Sequence, residues 1–241
     1  MKLTAYEETI ERDGCNARIR IEYDRDGINP RTEWDNVGTI LYSSDRHTLG
    51  DENIRGDMGL HLYGLACDAV GRDYDEETYN RLVFGLSESN TRQQAGRGAL
   101  WRFVHKHLII LPVYAYIHGG VTISTGNGYP YNDRWDGGAC GFIYCTRTKA
   151  ALEWTGADSE ERALDYLRGE IETFDAYLRG DCFYYTVEVT DADGHTQDAG
   201  SCGGYVGSGG DYGGALEDAR EAANYGLCKI TEAGHYQAAG I

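Results

Sequence analysis

Short runs in which apolar and polar residues alternate predict several β-strands. Ile19, Ile21 and Tyr23 alternate with charged residues, so residues 17–24 are predicted to form a half-buried strand. The turn signal Asp193-Gly194 indicates a hairpin near the C-terminal end. The other predicted strands are Val37–Tyr42, Gly141–Cys145, Phe183–Thr190 and a run from His195 towards Val206.

A hairpin is also predicted in the middle of the chain, between Leu108–Ile117 and Val121–Thr125. Gly119 and Gly120 would form its two-residue turn, because glycine readily adopts the positive φ that such turns need. In this register His118 pairs with Val121.

The same register separates three residues whose types could form a hydrolytic triad: His118, Ser124 and Asp136. Side chains alternate between the two faces of a strand, so Ser124 is predicted to face away from His118. A serine nucleophile is therefore not expected.

Spacings of three and four residues predict helices. The clearest is Ser159–Arg179, with Asp158 before its first turn and Gly180 after its last. A short helix is predicted at Ala215–Asn224, after a glycine-rich bend. Within residues 45–107, helices are predicted at Gly59–Val70 and Asp75–Leu86, followed by a polar linker at Thr91–Gly98.

These elements predict one α+β domain over residues 1–241. A mainly antiparallel sheet would have its helices packed on one face, and residues 45–107 would form a helical insertion.

The composition excludes several classes of function. A net charge of −17 opposes the phosphate backbone, so direct nucleic-acid binding is not expected. The chain has no apolar run long enough for a membrane span and no N-terminal signal peptide, which predicts a soluble, cytoplasmic protein without a membrane partner. Seven scattered cysteines suggest neither a disulfide framework nor a zinc site.

The candidate metal and phosphate motifs are weak, and no metal or cofactor is predicted. His105 and His107 supply only two ligands, fewer than a zinc site needs. Asp191 and Asp193 resemble the start of a calcium loop but lack its later ligands, which favours a β-turn. The glycine-rich segment 207–214 has no lysine for a phosphate, so a flexible turn is favoured.

Acidic residues gather in two segments of the sequence. Residues 158–175 hold seven acids against two arginines, and residues 181–221 hold nine acids against Arg220. If these acids converge in the fold, they would form a docking surface for a basic partner. The predicted members are Asp158, Glu160, Glu161, Asp165, Glu170, Glu172, Asp211, Glu217, Asp218 and Glu221.

A second set combines tryptophans with polar residues in predicted loops. Loops on a rigid sheet commonly carry binding groups, and a tryptophan beside an aspartate offers a stacking surface with an acceptor. A structural role as loop anchors and turn caps stays open. The members are Trp34, Asp35, Asn36, His47, Asp51, His118, Trp135 and Asp136.

Several stretches resemble a family of largely uncharacterised proteins encoded by bacteriophages and other mobile elements. The matching pieces are NPRTEWDN from Asn29, the Leu49-Gly50-Asp51 element, LPVYAYIHGGVTIST from Leu111, WDGGACGFIY from Trp135 and EIETFDAYLRG from Glu170. The chain departs from the pattern at the insertion and at Ile117, where the family has aspartate. The resemblance implies a phage or plasmid context without a defined reaction.

Two functions are predicted, and neither is enzymatic. The leading hypothesis is an accessory protein that inhibits or redirects a basic host protein of antiviral defence, such as a nucleic-acid-binding complex, through an acidic surface that could mimic nucleic acid. The alternative is a protein that binds or sequesters a nucleotide-like ligand at the tryptophan loops.

Overall fold

The computed structural model describes residues 3–84, 92–126 and 137–238, and gives only the backbone of residues 84, 92–97 and 232–238. The chain divides into two compact units. The first unit combines Met1–Glu33 with Thr173–Ile241, and the second is Trp34–Glu172. Helices and two sheets confirm the predicted α+β class.

The first unit contains a four-stranded antiparallel sheet in the order β1-β2-β8-β9. The strands are β1 (Thr4–Arg12), β2 (Cys15–Tyr23), β8 (Cys182–Thr190) and β9 (Thr196–Val206). Helix α1 (Pro30–Glu33) is a single turn, and α7 (Ala215–Ala238) follows a short 3-10 turn.

Helix α7 covers the apolar face of this sheet. Alternate residues of β2 and β8, such as Ile19 and Val187, are fully buried against small residues of the helix, such as Ala219 and Ala223. Alanine lets the helix backbone approach the sheet closely while strand side chains fill the space. The observed helix is longer than the predicted Ala215–Asn224.

The second unit contains a five-stranded sheet in the order β4-β3-β7-β5-β6. Its strands are β3 (Thr39–Tyr42), β4 (Glu52–Asn53), β5 (Leu108–Ile117), β6 (Val121–Thr125) and β7 (Gly137–Thr146). All pairings are antiparallel except the short β3–β4 contact.

Four helices and most of α6 belong to the second unit by sequence. They are α2 (Met58–Asp68), α3 (Glu76–Phe84), α4 (Arg92–His107), α5 (Arg147–Glu153) and α6 (Ser159–Arg179). Helices α2 and α4 bury Leu62 and Val104 against Leu41 and Ile110 of the sheet. No described helix is both long enough and apolar enough to cross a membrane.

Helix α6 has the predicted bounds because its end is encoded locally. Gly180 adopts a φ of +80°, and its amide donates to the Tyr177 carbonyl while the Asp181 amide donates to the Ala176 carbonyl. This pair of bonds is the Schellman arrangement that ends helices at glycine.

The predicted register of the central hairpin is wrong. Ile117 pairs with Val121, so the connection contains three residues, and the His118 amide donates to the Gly120 carbonyl. Ser124 therefore lies opposite Tyr114, whereas Ala115 and Ile123 share the buried face. A shift of one residue exchanges the two faces of a strand.

Two other local predictions also differ from the structure. Residues 92–98, predicted as a linker, belong to α4, and β1 was not predicted. Three acidic residues in β1 obscure its alternation: Glu7, Glu8 and Glu11. The predicted end of α3 at Leu86 lies outside the described residues.

Three glycines leave the space that β3 needs. A Cβ on Gly141 would lie 1.9 Å from the Leu41 carbonyl oxygen, and a Cβ on Gly50 would lie 2.3 Å from Cγ2 of Ile40. A Cβ on Gly38 would lie 2.4 Å from Cδ2 of Leu167. The close pairing of β3 with β7 therefore requires a residue without a side chain.

We expect Gly141→Ala to lower the free energy of unfolding by about 1–3 kcal/mol or more, because the added methyl group meets backbone that cannot rotate away. Chemical denaturation measures the change. The matched control is Gly138→Ala in the same strand, where a Cβ has no neighbour within 4 Å among the residues that the structure describes. Equal stability of the two variants would contradict this account of the β3–β7 contact.

Candidate ligand-binding site

Residues of helices α2, α3 and α4 and of strand β7 line a partly open cavity of about 440 Å³ in the second unit. Ligand pockets commonly have volumes of roughly 300–1,000 Å³ and mostly apolar walls. The lining residues are Asp57, Met58, Gly59, Leu62, Tyr79, Val83, Leu100, Trp101, Val104 and Phe142. Size and lining make this cavity the candidate site.

The polar side chains of the cavity are those of Asp57 and Tyr79, which are hydrogen-bonded to each other. The Tyr79 hydroxyl donates to Oδ2 of Asp57 at 2.6 Å. Oδ1 of Asp57 accepts the amides of Gly59 at 2.8 Å and Leu60 at 3.3 Å, so the same side chain caps the start of α2. The carboxylate is thus held in place from both sides.

The charge states of this pair are fixed at neutral pH. The hydrogen bond from Tyr79, followed by those from the Leu60 and Gly59 amides, keeps the pKa of Asp57 below its ordinary value. Burial, together with the bond to Asp57, raises the pKa of Tyr79. The carboxylate therefore remains ionised and the phenol remains protonated, an arrangement suited to anchoring a ligand.

Two further aromatic rings, those of Trp101 and Phe142, also line the cavity. The ring centroids of Trp101 and Phe142 lie 5.1 Å apart with an interplanar angle of 57°. Both rings also line an adjoining cavity of about 190 Å³, together with His105, Ile110 and Pro112. The two cavities therefore share the Trp101–Phe142 pair.

The sequence explains how these groups are positioned. Asp57 precedes the first turn of α2, where an aspartate oxygen can accept free amide hydrogens. Leu100, Trp101 and Val104 follow a helical spacing, which places them on one side of α4. A Cβ on Gly59 would lie 3.1–3.4 Å from Asp57, Leu100 and Tyr79, so a larger residue there would crowd the polar end.

None of the described residues of the predicted tryptophan-loop set lines this cavity. Trp34 is 40% exposed, and its carbonyl accepts a hydrogen bond from the Asn36 side chain at 2.8 Å. Asp35 is exposed. Oδ2 of Asp51 accepts the Ile40 amide at 2.7 Å, which ties the segment before β4 to β3.

Two further members of that set, His47 and His118, lie in other parts of the second unit. The His47 amide donates to the Ser44 hydroxyl at 3.1 Å. His118 is exposed in the three-residue connection, with its ring 6.2 Å from that of Tyr116. Trp135 and Asp136 lie outside the described residues.

The revised hairpin register does not bring Ser124 to His118. Ser124 lies three residues beyond Val121 along β6, about 10 Å at ~3.3 Å per residue. Its hydroxyl oxygen is buried and has no hydrogen-bond partner among the described residues. The third residue of the triad considered from the sequence, Asp136, is not described.

Three of the predicted acidic-surface residues in or next to α6 form ion pairs with arginines. Asp158 accepts from Arg162 at 2.7 Å, and Asp165 accepts from Arg168 at 2.6 Å. Glu160 accepts two bonds from Arg147, which keeps the pKa of Glu160 below its ordinary value. These contacts reduce the local negative field, although exposed pairs of this kind add little stability.

The Glu170 carboxylate binds backbone amides of its own chain instead of facing a partner protein. Oε1 accepts the amides of Val37 at 2.7 Å and Gly38 at 3.0 Å, and Oε2 accepts Gly38 at 3.2 Å. The neighbouring acids Glu161 and Glu172 are exposed. Glu170 thus satisfies two backbone donors immediately before β3.

The acids predicted near α7 differ in their surroundings. Asp218 accepts the Tyr205 hydroxyl at 2.6 Å. Asp211, Glu217 and Glu221 are exposed, and the last two lie one turn apart on the same side of the helix. Neither Glu217 nor Glu221 takes part in an ion pair with another described residue.

Among the described residues, the only group with metal-ligand spacing is Asp191, Asp193 and His195. It occupies the predicted turn between β8 and β9. Oδ1 of Asp191 accepts the Asp193 and His195 amides, and Oδ2 lies 3.2 Å from Nδ1 of His195. These bonds account for the turn without an ion.

Comparison with models of known protein families, with curated proteins and with solved structures finds no match to this chain.

We expect Glu170→Ala to lower the free energy of unfolding by about 1.5–3 kcal/mol, because two amides lose a charged acceptor. Glu172→Ala, on the same helix but exposed, should change it by less than about 0.5 kcal/mol. Urea denaturation of both variants measures the difference. A small effect of both substitutions would mean that the Glu170 contacts do not hold the start of β3.

Proposed function

We propose that this chain is a small-molecule-binding protein whose ligand occupies the cavity between α2, α3, α4 and β7. The proposal rests on one observation: about 440 Å³ of space lined by aliphatic and aromatic side chains, with a single fixed carboxylate–phenol pair. Apolar walls supply affinity, and a few placed polar groups supply orientation.

The polar pair supports binding in preference to proton transfer. A general acid or base works best when its pKa lies near the working pH. The hydrogen bonds around Asp57 move its pKa away from neutrality, and burial moves that of Tyr79 away in the opposite direction. Both groups therefore keep one protonation state, as expected of a ligand anchor.

We expect a neutral apolar dye, N-phenyl-1-naphthylamine, to bind the protein at one saturable site with a rise in emission. Leu100→Trp should weaken binding about tenfold or more, because the larger side chain fills the cavity, and about 1.4 kcal/mol of lost interaction corresponds to tenfold. Direct excitation of the dye measures the affinity without interference from the added tryptophan.

The matched control for this experiment is Leu152→Trp. Leu152 is 79% exposed on α5 and does not line the cavity, so the dye affinity should remain unchanged. Circular dichroism establishes that both variants are folded. Absence of saturable binding to the wild-type protein, or equal binding to both variants, would refute the proposed site.

Charge favours a second candidate function, the inhibition of a basic host protein in a phage or plasmid context. Residues 173–241 contain eleven Asp and Glu against Arg179, Arg220 and Lys229. Two of these eleven acids, Glu217 and Glu221, are exposed on one side of α7. A concentrated negative field of this kind favours encounter with basic surfaces and depends on salt.

For this second candidate, we expect low-salt affinity purification from a host extract to recover a basic protein. The double substitution Glu217→Gln and Glu221→Gln should reduce recovery, since it removes two exposed charges that lie one turn apart on α7, the proposed docking surface. The matched double substitution Glu161→Gln and Glu172→Gln on α6 should not. Mass spectrometry quantifies the partner, and equal recovery by both double variants would exclude α7 as its docking surface.

A further inference from the structure

We infer that the ligand of the α2-α3-α4 cavity carries a positive charge on an apolar body, and that Asp57 binds this charge. This inference rests on the proposed binding function and specifies the chemical class of the ligand. A substituted ammonium group attached to an aromatic or aliphatic group is the chemistry that fits.

The lining of the cavity carries a negative charge. Asp57 is the only charged side chain among the described residues that line the cavity. Its carboxylate accepts two amides at Oδ1 and one hydroxyl at Oδ2. A carboxylate has about four acceptor positions, so Oδ2 retains one that a ligand can use.

The Asp57 carboxylate already occupies the position at the start of α2 where an anion would bind. The free amides at the start of α2 would attract a phosphate or another carboxylate. Asp57 itself accepts the Gly59 and Leu60 amides there. An anionic ligand would have to displace this side chain, and the net charge of −17 would oppose its approach. A nucleotide phosphate is therefore disfavoured at this end of the cavity.

The walls of the cavity include three aromatic side chains. Tyr79, Trp101 and Phe142 all line the cavity. The faces of aromatic rings attract cations, and tryptophan does so most strongly. The carboxylate and the ring surfaces therefore favour the same sign of charge, while Leu62, Leu100 and Val104 accept the apolar body.

The test uses three ligands of nearly the same shape that displace N-phenyl-1-naphthylamine. Benzyltrimethylammonium is the cation, neopentylbenzene is its neutral isostere with carbon in place of nitrogen, and benzylsulfonate is the anion. We expect benzyltrimethylammonium to bind the wild-type protein more tightly than benzylsulfonate, and only its affinity to fall as salt is added.

The Asp57→Asn substitution isolates the charge, because asparagine also caps helices well. It should weaken benzyltrimethylammonium binding about two- to fivefold, the scale of an ion pair with a solvent-exposed carboxylate such as Asp57, and change neopentylbenzene binding less than twofold. The matched control is Asp75→Asn. Asp75 caps α3 through the Glu77 and Thr78 amides but does not line the cavity, so both affinities should stay unchanged.

The outcomes separate this inference from the proposed function. If the dye and neopentylbenzene bind but Asp57→Asn leaves the cation affinity unchanged, or benzylsulfonate binds as well as the cation, the charge preference is wrong and the cavity proposal survives. If the dye does not bind and calorimetry detects no binding of the three ligands, both the charge preference and the proposed binding function are wrong. Asp57→Ser keeps a capping oxygen and repeats the test if Asp57→Asn does not fold.

Discussion

The Glu170 carboxylate fixes the start of β3, and the second sheet depends on that strand. It accepts the amides of Val37 and Gly38, while the Lys149 ammonium donates to the carbonyls of Asn36 and Val37 at 2.9 and 2.8 Å. The donors and acceptors of this short segment are thus bonded to side chains distant in sequence. Strand β3 then pairs with β4 on one side and β7 on the other.

The elements that the sequence predicts correctly carry their own signals. Helix α6 has a continuous apolar stripe and a glycine at its end. Strand β2 alternates between buried and polar residues as far as Ile21, but Glu22 is buried, where it accepts the Tyr184 hydroxyl, and Tyr23, predicted to face inward, is 37% exposed. The central hairpin was predicted one residue out of register because two adjacent glycines suggested a shorter turn than the one that begins at His118. Strand β1 was not predicted because charged side chains occupy much of its length.

The candidate cavity could not be predicted in the same way, because it forms only where three helices and a strand meet. Asp57 is recognisable in the sequence as a helix cap, but its bond to Tyr79 joins residues 22 positions apart. The acidic segments show the reverse problem. Their charge is visible in the sequence, whereas the contact between Glu160 and Arg147 that reduces it depends on the fold.

The glycines around β3 also bear on how relatives of this chain can be recognised. Gly38, Gly50 and Gly141 each occupy a position where even a methyl group would meet another part of the sheet or α6. An exposed acid can be replaced without such a clash, whereas a side chain at these positions would require the Leu41 and Tyr42 backbone to move at Gly141 and the Ile40, Ile143 or Leu167 side chains to move at the other two. We therefore expect the spacing of the three glycines to identify this architecture in other sequences better than acidity does.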